Sequence, residues 1–190
     1  MSNAVSALNG AVYQGFATIS DMGPSGMLTL RANLSSAKVK KAVKSVTGAD
    51  MPGITRAEFA GDTGVCWMSP DEVLILCDYA KAGNLVAKLE SALAGTHHLV
   101  VNVSDARARI SVTGTDAREV IAKLSPADVS ALQPGQMRRS RLAQVPTAFW
   151  MSGEDVIEII CFRSVAQYVF DILKSAALPG SEVGFFADRN

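Results

Sequence analysis

Hydrophobic and polar positions along the chain follow two rhythms, one of period two and one of period 3.6. From Met27 to Leu34, Leu28, Leu30 and Ala32 face one way and Thr29 and Arg31 the other, which predicts a strand. A helical stripe follows at Val39, Ala42, Val43 and Val46, with Ser35 or Ser36 placed to cap its start and Gly48 to end it. Thr55–Ala60 and Val65–Met68 read as strands around Gly61-Asp62-Thr63-Gly64, a hairpin signal. Val73–Cys77 is an apolar run suited to a buried strand. Ala82, Leu85, Val86, Leu89 and Leu93 form the stripe of a second helix, and Leu99–Val103 is a closing strand. The order β-α-β-β-(β)-α-β is the ferredoxin-like split βαβ pattern.

The second half repeats the first. Arg107–Val112 alternates, with Ala108, Ile110 and Val112 inward. Thr115 is placed to cap a helix with the stripe Ala117, Val120, Ile121 and Leu124, and Ser125-Pro126 stops it. Val129–Gly135 connects to strands at Met137–Ala143, Thr147–Met151 and Val156–Cys161. A helix starts at Ser164, and Glu182–Phe186 is expected as the last strand. Cys66–Leu93 aligns without a gap to Phe149–Ala176, 83 positions later. Trp67-Met68-Ser69 meets Trp150-Met151-Ser152, and the second helix receives the stripe Val165, Tyr168, Val169, Ile172 and Ala176. A fixed internal spacing means one structural unit used twice. The predicted architecture is α+β, two tandem ferredoxin-like βαββαβ units packed as one body, over residues 28–104 and 105–190. Residues 1–27, with Gly23-Pro24-Ser25-Gly26 as a breaker, are expected as a flexible N-terminal arm.

Composition narrows the function classes. Eighteen Lys and Arg balance eighteen Asp and Glu, so the basic excess of a nucleic-acid or anionic-membrane binder is missing. No apolar run approaches the roughly 20 residues that cross a bilayer. The N-terminus has no secretory pattern. The three cysteines Cys66, Cys77 and Cys161 sit in strand-like apolar runs and suit a reduced, cytoplasmic protein.

The motifs of catalysis are missing too. His97-His98 are adjacent on a strand and point to opposite faces, which disfavours a shared metal. Asp71-Glu72 and Glu154-Asp155 fall in turns, where carboxylates are solvated. No G-x-S-x-G, Walker A, H-E-x-x-H or helix-opening G-x-G-x-x-G is present. No catalytic residue and no metal ligand is assigned. The strongest polar cluster is basic: Arg107 and Arg109 on one strand, Arg138, Arg139 and Arg141 on another. Guanidinium forks pair with carboxylates and phosphates, so these five residues are the candidate partner interface or anion site, set against an ordinary solvated sheet face.

Val103-Ser104-Asp105-Ala106-Arg107, Ile110-Ser111-Val112-Thr113-Gly114 and Ala117–Leu124 together resemble the gamma subunit of heterotetrameric sarcosine oxidase. So do Arg139-Ser140-Arg141-Leu142-Ala143-Gln144-Val145-Pro146 and Phe162-Arg163-Ser164-Val165-Ala166-Gln167-Tyr168. That family is similar in fold to the folate-binding T-protein of the glycine cleavage system. The resemblance implies an accessory, non-catalytic chain assembled with alpha, beta and delta subunits. The complex would demethylate sarcosine to glycine, hydrogen peroxide and formaldehyde or methylene-tetrahydrofolate. This chain alone would bind no cofactor; FAD, FMN, NAD and tetrahydrofolate would lie on the other subunits. Two alternatives of different class are an independent folate-binding, aminomethyltransferase-like protein and a small-ligand-sensing module.

Overall fold

A computed structural model describes residues 4–186 of the 190-residue chain. Two compact units emerge: Ser25–Asp105, and residues 4–24 joined to 106–186.

In the first unit, β3 (Ser25–Ala32) is followed by α1 (Ala37–Thr47), β4 (Ala57–Ala60), β5 (Thr63–Ser69), β6 (Glu72–Asp78), α2 (Ala82–Ala92) and β7 (His98–Asn102). The sheet order is β4-β5-β6-β3-β7, antiparallel throughout. The helices bury Val39, Val43, Leu85 and Leu89 against Leu28, Leu30, Val65, Val73 and Ile75. Each such side chain contributes about 1.5–3 kcal/mol of hydrophobic stabilisation. α1 ends where Gly48 takes φ 78°, its N–H bonding Lys44 O; only glycine adopts this conformation without cost. Ser36 stands at the α1 N-cap but its side chain accepts no capping hydrogen bond, and Asp116 rather than Thr115 holds that place in the second unit.

The second unit begins with β1 (Val12–Gln14) and β2 (Thr18–Asp21). After the first unit come β8 (Arg107–Thr113), α3 (Ala117–Leu124), β9 (Met137–Leu142), β10 (Val145–Gly153), β11 (Val156–Phe162) and α4 (Ala166–Ala176). Its order is β1-β2-β8-β11-β10-β9. The expected N-terminal arm is therefore part of a sheet. Thr18–Asp21 pairs with β8 as β7 pairs with β3, so the chain's start supplies the second unit's last strand. Gly15 is needed there: a Cβ would lie 1.9 Å from Ala177 O, where Phe16 N–H bonds. Because β2 fills the edge of β8, Glu182–Phe186 is not a strand; the segment runs to Glu119 on α3 instead.

The repeat is also one residue out of the ungapped spacing. Ser69 and Gly153 end β5 and β10, Glu72 and Val156 open β6 and β11, and Ala82 and Ala166 open α2 and α4; each pair is 84 positions apart. Both hairpins carry a register shift at equivalent places, Trp67/Ser69 and Met151/Gly153. Since strand side chains alternate, one residue reverses the face. Trp67 pairs with Val73 on the helix-covered face, whereas Trp150 pairs with Glu158 on the helix-free one. In the helix, one residue is a turn of about 100°. The buried residues of α4 are Ala166, Val169, Phe170, Leu173 and Ala176, so Val169 and Ala176 of the expected stripe are buried while Tyr168 is exposed.

Candidate partner-binding face

The five candidate arginines lie in the second unit, on β8 and β9, with β11 and β10 between them. Strand pairing places Arg109, Ile160, Ala148 and Arg139 in one row across the sheet. Direct partners share a face, so Arg109 and Arg139 are on the helix-free side, three strands or about 14 Å apart. Two residues further along, Arg107 pairs with Phe162, and Arg141 pairs with Pro146. These alternate onto the same face. Arg138 does not: it pairs with Phe149, whose ring is in the helix-covered core, and its guanidinium donates to Met137 O at 2.9 Å.

The four helix-free arginines have different roles. Arg109 Nε donates to Glu158 at 2.7 Å, the two form an ion pair, and the guanidinium lies 5.8 Å from the Trp150 ring centroid. Glu158 and Trp150 are buried, so Arg109 is committed to compensating an internal carboxylate. Arg107 stacks 5.4 Å from the ring centroid of Phe162, which is 51% exposed. Arg139 and Arg141 are exposed. The outward chemistry of this region is therefore an aromatic ring under a guanidinium, with two further exposed guanidinium groups on the same face. Such a surface suits a carboxylate-bearing protein partner, because arginine and aromatic groups dominate binding energy at protein interfaces.

Phe162 and Glu158 were not legible as site residues. Their role follows from cross-strand pairing, which only the register reveals. The turn carboxylates also split: Asp71 stays exposed, its carboxyl held below the usual range by the Ser69 hydroxyl at 2.6 Å, while Glu72 is buried and paired with Arg31 at 2.8 Å.

His98 Nδ1 lies 2.7 Å from Thr96 O and Nε2 3.0 Å from Glu90, contacts that raise its pKa, the Thr96 carbonyl contributing most. A shallow cavity of about 660 Å³ lies between Arg31, Asn33, Asp71, His97, His98 and Leu99. Its Arg31, Asp71 and His98 are already engaged in the contacts above. Among the described residues no group of three or more His, Cys, Asp or Glu is arranged to hold a metal, and no helix is long and apolar enough to cross a membrane. Cys161 and Cys77 are buried thiols whose pKa values are raised by desolvation, that of Cys161 to about 11.

Comparison with known proteins converges on one family. The sequence model of the sarcosine oxidase gamma subunit family matches residues 31–178. The gamma subunit of sarcosine oxidase from Corynebacterium sp. (strain U-96) is 30% identical over 132 residues, covering 67% of this chain. The match spans 63% of that relative's length. The gamma subunit from Arthrobacter sp is 32% identical over 97 residues, 50% of this chain and 47% of the relative. In three dimensions, a chain of heterotetrameric sarcosine oxidase from Corynebacterium sp. U-96, solved with pyrrole 2-carboxylate, superposes with a TM-score of 0.77 at 25% identity. That superposition covers 85% of this chain and 83% of the other. Aminomethyltransferase T of the glycine cleavage system from Bartonella henselae shares the fold, with a TM-score of 0.62 at 15% identity over 84% of this chain and 46% of its own. By sequence and by fold, the chain belongs to the sarcosine oxidase gamma subunit family.

Proposed function

We propose that this protein is an accessory, non-catalytic subunit of a heterotetrameric sarcosine oxidase. It would act by binding the complex's other chains, designated alpha, beta and delta. The observation that carries the reading is the family match over residues 31–178. In the complex, sarcosine, water and dioxygen give glycine, formaldehyde and hydrogen peroxide, with methylene-tetrahydrofolate replacing formaldehyde when tetrahydrofolate accepts the one-carbon unit. FAD, FMN, NAD and tetrahydrofolate are assigned to the other subunits, in the cytoplasm.

Arg107 with Phe162, Arg139 and Arg141 form the docking patch. Arg109, on the same face, is held by Glu158, and Arg138 turns to the opposite face. The experiment is a pull-down from native cell extract with this chain as bait. Large partners, flavin absorbance and sarcosine-dependent peroxide are expected. A lone chain that retains tetrahydrofolate would overturn the reading in favour of an independent folate protein.

A further inference from the structure

β7 is the outermost strand of the first unit's sheet, and its equivalent in the second unit is β2. β7 pairs antiparallel with β3, and β2 with the equivalent strand β8. The two edges are finished differently. β2 is covered by β1, with Val12, Tyr13 and Gln14 opposite Ser20, Ile19 and Thr18. Among the described residues no strand covers the outer edge of β7.

The edge is also chemically open. Val103 N–H bonds Met27 O at 2.8 Å, so Val103 faces β3. Antiparallel alternation then turns Val101 and Leu99 toward β3, and points the N–H and C=O of Asn102, Val100 and His98 outward. Ala32, opposite His98, agrees: its own N–H turns the other way, to Asp71 O at 3.0 Å. Leu99 and Val101 are 52% and 39% exposed on the helix-free face. Edge strands are normally blunted by lysine, proline, a bulge or a covering element. The sequence His98-Leu99-Val100-Val101-Asn102 has no lysine or proline, and its pairing with β3 is unbroken.

We propose that β7 is completed by an extended segment of another subunit, adding antiparallel to it as β1 adds to β2. This rests on the subunit reading above; the internal repeat indicates what kind of element covers the edge. The incoming strand hydrogen-bonds the outward groups of His98, Val100 and Asn102. It places apolar side chains at alternate positions over Leu99 and Val101, the β-augmentation mode of recognition.

The test compares hydrogen exchange of the 97–104 region in the isolated chain and in the purified complex, alongside assembly of a Leu99→Lys/Val101→Lys variant. Both side chains are exposed, so the variant keeps its fold. Slowing of the His98, Val100 and Asn102 amides by about tenfold or more in the complex is expected, as is assembly weakened about 30-fold. A complex that forms with those amides exchanging as in the isolated chain overturns the proposal and leaves the subunit reading standing. Concentration-dependent protection in the isolated chain overturns it in favour of a second copy. No flavin-bearing partner at all overturns the subunit reading itself. The exchange measurement uses the natural sequence, so it decides the matter even if the variant misfolds.

Discussion

Glu119 ties the Val183–Gly184 segment to α3, and removing its carboxylate should release that segment before anything else. The side chain is 4% exposed. It accepts from Val183 N–H at 2.6 Å and Gly184 N–H at 2.9 Å, and pairs with Lys123 at 3.2 Å. Burial pushes the carboxyl pKa up. The Val183 N–H, the Lys123 ammonium and the Gly184 N–H outweigh it and hold the group below its ordinary value. Glu119→Ala removes all three contacts, yet the full cost of about 3–5 kcal/mol for breaking a buried ion pair does not apply. Lys123 keeps Ala176 O at 3.1 Å and Ser181 O at 2.6 Å, and Val183 is exposed enough for its N–H to be hydrated. About 2–3 kcal/mol is the expected loss, a fall of roughly 5–10 °C in Tm for a chain of this size. Glu119→Gln keeps an acceptor and should lose about 1 kcal/mol. Because the folded pKa is depressed, the contribution is fully present above the unfolded value of about 4.3 and is lost as pH falls through the folded one. The gap between wild type and Glu119→Gln should therefore close in acid. Urea titration from pH 7 down to 3, with amide exchange at Val183 and Gly184, measures both effects. Unchanged exchange at those amides together with an unchanged midpoint in Glu119→Ala would refute the reasoning.

Other perturbations probe the rest of the structure. Gly15→Ala puts a methyl 1.9 Å from Ala177 O, so it should displace the β1–β2 hairpin and cost about 3 kcal/mol or more; calorimetry of the purified variant reads this directly. Arg139→Glu/Arg141→Glu should weaken capture of partner subunits by tenfold or more while leaving the circular dichroism melt of the isolated chain within about 2 °C; Arg138→Glu should affect capture much less. With its thiol pKa near 11 and its side chain buried, Cys161 should resist iodoacetamide at pH 8 in the folded chain and react at once in urea, as peptide mass spectrometry would show. His98 gains contacts that raise its pKa, so its contribution is present below about 6.5 and lost as pH rises through the folded value; His98→Gln should flatten that part of the stability curve.

The element order of each unit was legible because it depends on periodicity that survives within ten-residue windows. Val39-Ala42-Val43 on α1 and the alternation of Ile110 and Val112 on β8 are buried as their spacing requires. What the pattern could not carry was anything fixed by pairing at long range. The N-terminal residues read as an arm because Gly23-Pro24-Ser25-Gly26 breaks the chain after them, and Thr18–Asp21 is too short to stand out as a strand. Their strand character comes from β8, which offers an open edge only after about 85 further residues have folded. The same pairing explains why Glu182–Phe186 failed as a strand despite its apolar residues.

The internal repeat shows how a correct inference can rest on a wrong alignment. Trp-Met-Ser occurs twice, and matching the two occurrences forces a spacing of 83, whereas the β5–β6 and β10–β11 hairpin turns and the helices that follow them recur at 84. Identity of side chains was the weaker guide because a sheet has two faces with different demands. On the helix-covered face of β5, Trp67 stands opposite Val73 and is only partly buried. On the helix-free face of β10, Trp150 is fully buried beside an ion pair. Burial of the equivalent helical positions Ala82 and Ala166, Leu85 and Val169, Leu89 and Leu173 holds at 84 and breaks at 83, where Leu89 would meet the half-buried Ile172. What the two units share is therefore the placement of apolar volume. The residues that differ between equivalent positions are the ones free to take on a role, and Arg109, Phe162 and the bare edge of β7 are all of that kind.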